Sequence, residues 1–124
     1  MKDTRPVNLD ISTIKLPITA YTSILHRISG VFLVGAVGLM IYALDLSLDS
    51  ADGFAAVASV LQSPVVKFVA WVVASGLIYH SVAGIKHLIM DLGYGETWEG
   101  GVLGSKITFA VSFLLIAAMG FKLW

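Results

Sequence analysis

The stretch VVKFVAWVVASGLIYHSVAGIKHLIM, residues 65–90, has no formal charge between Lys67 and Lys86 and holds a histidine, His80, deep within it. A run of this length and character is a membrane-spanning helix, because a hydrocarbon core of ~30 Å takes about 20 residues at ~1.5 Å each. Two further charge-free intervals, Arg27 to Asp45 and Lys106 to Lys122, are of comparable length. The expected architecture is therefore all-α: a polar arm over residues 1–22, then a transmembrane domain over 23–124 with spans at about 23–46, 65–90 and 105–124. Composition agrees. Of the 124 residues, 57% are hydrophobic and 13% charged, against about 25% charged in soluble domains, and mean hydropathy is +0.88.

The first 20 residues are polar and contain Pro6 and Pro17, so a cleavable signal peptide is not expected. A net charge of zero gives no basis for nucleic-acid binding. Cysteine is absent, which excludes disulfides, an iron–sulfur cluster ligated within this chain and covalent haem attachment. The basic residues Lys2, Arg5, Lys15, Arg27, Lys86 and Lys106 fall on one side of the expected bundle and only Lys67 and Lys122 on the other. By the positive-inside rule the N-terminus is cytoplasmic and the C-terminus lies across the membrane. Trp71, Trp98 and Trp124 fall near the expected interfaces, and Gly53–Leu61 reads as a short amphipathic stretch along the surface.

Counted from Met90, His80 lies about ten residues, or roughly 15 Å, into the membrane. Ionisable groups at such depth are rare and mark functional sites. The plain alternative is a neutral histidine bonded to a neighbouring helix. Gly76 and Gly84 stand one turn to either side of His80 on its face, with His87 and Asp91 further along the same stripe. The glycines suit close helix packing; they also leave room for a flat macrocycle, with iron at the deep histidine and propionates toward the polar rim. A second axial ligand is not evident. His26, at the start of the first span, is expected to lie about 10 Å or more away in depth, and Met40 and Met119 read as packing residues. The remaining ligand is therefore expected from a partner subunit.

The second constellation is Ser23, His26 and Arg27, sharing a face at i, i+3 and i+4. Arg27 alone would read as a snorkelling side chain that fixes orientation. With Ser23 and His26 it supplies a hydroxyl, a titratable ring and a cation, the groups needed to hold a quinone carbonyl and its developing negative charge. Propionate binding is a competing use of His26 and Arg27, and the sequence does not separate the two.

These stretches resemble the signatures of the cytochrome b556 membrane-anchor subunits of succinate dehydrogenase. One runs Arg5-Pro6-Val7, Ile11, then Ser23-x-x-His26-Arg27-x-Ser29; the other is His80-x-x-x-Gly84-Ile85-Lys86-His87-Leu88-x-Met90-Asp91-x-Gly93. The resemblance covers nearly the whole chain. It implies that His80 is one axial ligand of haem b, the other coming from a second three-helix anchor subunit. Ser23 and Arg27 match ubiquinone-site positions, and His26, Arg27 and His87 match positions near the haem propionates. It further implies flavoprotein and iron–sulfur partner subunits, electron transport from succinate to ubiquinone, and a multi-pass place in the bacterial inner membrane. The chain is then part of an enzyme without being active alone. One departure is Lys86, where the family usually carries Arg, so a point charge replaces a two-pronged donor. Two rival readings are a fumarate reductase anchor and a structural membrane-assembly subunit without cofactor.

Overall fold

The computed structural model describes residues 6–124. Lys2 and Arg5 of the expected basic arm, and the start of the first signature, lie outside the described residues. The chain forms four helices: α1 (Ile18–Asp49), α2 (Ala51–Val60), α3 (Pro64–Asp91) and α4 (Trp98–Leu123). Three of them, α1, α3 and α4, are long and apolar enough to cross a membrane. No strand occurs among the described residues. This is the expected all-helical, three-span architecture, and the chain is a multi-pass membrane protein.

Local chemistry explains the helix ends. Pro17 sits extended (φ −70°, ψ 160°) at the N-cap of α1, where its missing N–H costs nothing. Before it, Asp10 caps a turn by accepting from the backbone N–H (3.0 Å) and the hydroxyl (2.6 Å) of Ser12. Those bonds hold the exposed Asp10 carboxyl below its ordinary range. Ser50 adopts an extended conformation that stops α1, and its side chain accepts from Gly53 N–H to start α2. Pro64 opens α3. At its far end Gly93 (φ +88°) donates to Met90 C=O at 2.9 Å while Tyr94 donates to Ile89 C=O at 3.2 Å, the paired bonds of a left-handed glycine cap. Thr97 then caps α4 through Gly100 N–H.

Two span boundaries differ from expectation. α1 begins at Ile18, five residues before Ser23, and α4 begins at Trp98, seven before Ser105. Polar and small residues were read as loop in both places, yet they lie inside helices, where Gly101 of α4 meets Thr19 of α1 and Gly104 meets Lys86 of α3. α2 packs back on α1, where a Cβ on Gly53 would run into the Leu46 carbonyl.

The three spans pack against one another through small and hydroxylated residues. Thr22, Ser29 and Ala36 of α1, Ala83 of α3, and Gly101, Ser105, Thr108 and Ser112 of α4 are buried, with Leu33 the one large apolar residue among them. The hydroxyls of Thr22, Ser105 and Thr108 donate to carbonyls four residues back, whereas the buried Ser112 hydroxyl has no partner among the described residues. The large side chains face outward, as they do when lipid, not a protein core, receives them. One tryptophan ties α3 to α4: Trp71 Nε1 donates to Ile116 C=O at 3.0 Å.

Replacing Gly93 by Ala forces a Cβ into left-handed backbone. The variant should lose about 1–2 kcal/mol, read as a lower midpoint in thermal unfolding of the detergent-solubilised protein.

Candidate functional site

α1 and α3 meet where both carry small residues. A Cβ on Gly30 would sit 3.1 Å from His80 Cε1, one on Gly84 3.5 Å from His26 Nε2, and one on Gly76 2.9 Å from Phe32 Cε1. The glycines beside His80 thus receive α1 side chains, Phe32 and His26, and this overturns their reading as clearance for a macrocycle. They bring the helices close enough for three imidazoles to gather. His26 stacks on His80 with ring centroids 4.2 Å apart and planes within 15°, and His87 lies 5.1 Å from His26 at a tilt of 46°.

The expected depth difference of about 10 Å between His26 and His80 is therefore wrong. The reason is the early start of α1: with the helix beginning at Ile18, His26 lies two turns inside it.

The hydrogen bonds fix the tautomer of His80. Ser29 Oγ donates its single proton to His26 C=O at 2.7 Å. His80 Nδ1 lies 3.0 Å from Ser29 Oγ and 3.2 Å from the same carbonyl. A bare Nδ1 lone pair would face two oxygen acceptors there, so Nδ1 carries the proton and donates it. The other nitrogen, Nε2, then keeps its lone pair and has no hydrogen-bond partner among the described residues. That is the metal-ligating form of a neutral imidazole. His26 Nε2 is buried and also lacks a partner among the described residues.

The remaining expected residues divide. Ser23, half-buried, and Arg27, exposed, lie on α1 about 100–140° around from the stripe of Thr22, Ser29 and Leu33, on the open flank beside His26. Arg27 forms no ion pair among the described residues. Asp91 is exposed at the end of α3. Lys86 turns away from the histidines: its Nζ donates to Ser105 Oγ of α4 at 3.0 Å, and its chain lies along Gly104. Met40 faces α2 in a groove with Val57, and it stands about 21 Å along α1 from His26. The three histidines do not form a chelating group, and no metal-holding cluster of three donors occurs among the described residues. A single imidazole donor, not a chain-contained metal cage, is what the geometry offers.

Sequence reasoning missed the roles of Ser29, Gly30 and Tyr79. Tyr79 stacks on Phe109 of α4 and donates to Thr22 C=O of α1 at 2.9 Å, bracing the helix that carries His80. The Ser29-Gly30 pair one turn after His26 was the available signal, since a hydroxyl and a missing side chain at that depth mark a close crossing.

A bundle of three apolar helices with a histidine stack inside it defines an integral membrane protein. More particularly, the chain belongs to the succinate dehydrogenase/fumarate reductase transmembrane subunit family, whose profile matches residues 1–119. It is 38% identical over 125 positions to the succinate dehydrogenase cytochrome b556 subunit of Coxiella burnetii, with both chains covered in full. The like-named subunit of Paracoccus denitrificans is 32% identical over 115 positions, covering 90% of this chain and 85% of that one. The mitochondrial cytochrome b560 subunit of Mus musculus is 34% identical over 104 positions, covering 79% and 62%.

Gly30→Val would drive branched carbons into His80. Overpacking of this kind should cost about 1–3 kcal/mol in thermal unfolding, whereas Gly35→Ala, with nothing within 4 Å of its Cβ position and a better helix former in place of glycine, should not lower the midpoint.

Proposed function

We propose that this chain is the haem b-bearing membrane anchor of a succinate:ubiquinone oxidoreductase. His80 Nε2 serves as one axial ligand, and the other comes from a second three-helix anchor subunit. The carrying observation is the state of the His80 ring, with Nδ1 committed to α1 and Nε2 free. The names of the relatives support haem b and the direction from succinate, since they are cytochrome b556 and b560 subunits of succinate dehydrogenase.

The chain's own residues fit the group. His80 presents a neutral donor from a deep position on a rigid helix. His26 and His87 gather beside it, with Arg27 exposed one residue beyond His26, as groups for the propionate side. Haem, when bound, supplies one-electron storage inside the membrane. Ser23 and Arg27 stand on the open flank of α1, where a hydroxyl and a fixed positive charge can hold a quinone carbonyl and stabilise charge as it develops. Their exposure in the lone chain leaves room for the second anchor and the iron–sulfur subunit to complete that pocket, with the flavoprotein beyond. We place the chain in a bacterial inner membrane with its N-terminus cytoplasmic, on the side where the basic residues cluster.

A reduced-minus-oxidised spectrum of the purified complex tests the haem assignment. His80→Ala should abolish the normal b-type signature, and an unaltered spectrum in that variant would refute His80 as ligand. For the quinone site, Ser23→Ala or Arg27→Ala should lower ubiquinone reduction by roughly tenfold or more while succinate oxidation by a soluble artificial acceptor stays near normal. Equal loss in both assays would point to failed assembly. Orientation can be read with single cysteines, since the chain has none. Ser12→Cys should react with an impermeant thiol reagent only from the cytoplasmic side, and Asp52→Cys only from the opposite side.

A further inference from the structure

We propose that Ser29 is a positioning residue for the haem ligand: together with the His26 carbonyl it fixes the tautomer and ring rotation of His80 and so tunes the potential of the bound iron. This rests on the proposed role of His80 as axial ligand. Ser29 is buried, 9% exposed, in the α1–α3 contact. Its hydroxyl does two things at once. It donates to His26 C=O at 2.7 Å, and it accepts from His80 Nδ1 at 3.0 Å. The carbonyl of His26 receives from the same Nδ1 at 3.2 Å. Two acceptors on α1 therefore define the direction of the Nδ1–H bond, and with it the plane in which the ring can lie. Gly30 makes room for the ring, since a Cβ there would sit 3.1 Å from Cε1, and the stacked His26 ring limits tilting on the face. Donation from Nδ1 pushes electron density into the ring and strengthens Nε2 as a donor, as hydrogen-bonded outer partners of metal-binding histidines do. A stronger donor favours the oxidised iron and lowers the potential.

The test uses the assembled complex. Ser29→Ala removes the shorter acceptor, and Ser29→Cys keeps the volume with a weaker one. Both should raise the haem midpoint potential and shift the g-values of the oxidised haem, which report imidazole-plane orientation. Haem affinity should fall by about 10- to 100-fold. Ser29→Thr, which keeps the hydroxyl, should restore potential and g-values. If the Ala variant retains no haem, the Cys variant carries the measurement. Unchanged potential and g-values in haem-replete Ala or Cys variants would overturn the inference, as would a Thr variant that behaves like Ala. A complex that keeps its spectrum in His80→Ala fails at the earlier step, the ligand assignment. Loss of haem in His80→Ala with wild-type behaviour at Ser29 fails only here.

Discussion

The close approach of α1 to α3 is the constraint on which the site depends. Within a hydrocarbon layer no water satisfies a polar atom, so an imidazole can sit there only if a neighbouring helix comes near enough to bond it. Gly30 and Gly84 permit that approach, and Gly76 admits Phe32 beside it. The buried contacts of the bundle are otherwise mostly serine, threonine, alanine and glycine, whose side chains add little apolar area. Association of these helices therefore draws on short-range packing and interhelical hydrogen bonds more than on hydrophobic burial, as expected where lipid competes equally for apolar surface.

The same approach fixes how His80 is held: its Nδ1 lies 3.0 Å from Ser29 Oγ and 3.2 Å from the His26 carbonyl. Packing and chemistry coincide: the contact that holds His80 in the membrane is also the one that leaves its Nε2 available.

The sequence made some of this legible and hid the rest for identifiable reasons. Charge-free intervals of spanning length gave three helices, because apolar length is a property of the segment itself. The helix ends were harder. Ser23, His26 and Arg27 look like a membrane boundary when read along the chain, but α1 starts right after Pro17, and the polar residues lie inside it. Gly100, Gly101 and Gly104 look like loop for the same reason. In the structure each meets a neighbour: Gly100 lies against Gly95, Gly101 against Thr19 and Gly104 against Lys86. A glycine used for a turn and one used for a contact have the same letter, and only the partner distinguishes them. His80, His26 and His87 were identified as residues of interest, yet their stacking depends on the relative height of α1 and α3, which no local pattern encodes.

With His80 as the proposed axial ligand, that height changes the reason why the chain would supply only half of an iron site. Depth does not exclude His26 as the second axial ligand, since its ring lies level with that of His80. Direction does. Axial ligands approach an iron from opposite sides of the macrocycle, and a ring stacked face to face on His80 lies on the same side as His80. His87 follows His26 at 5.1 Å in the same cluster, and Met40 faces α2, away from it. In the proposed haem site an opposing ligand would therefore enter from beyond the α1–α3 contact. Ser23 and Arg27 border that contact on an open flank, with no partner for the Arg27 charge among the described residues. A second anchor seated there would bring the missing ligand and enclose the quinone-facing residues in one step, so haem binding and subunit assembly would be coupled through the same surface.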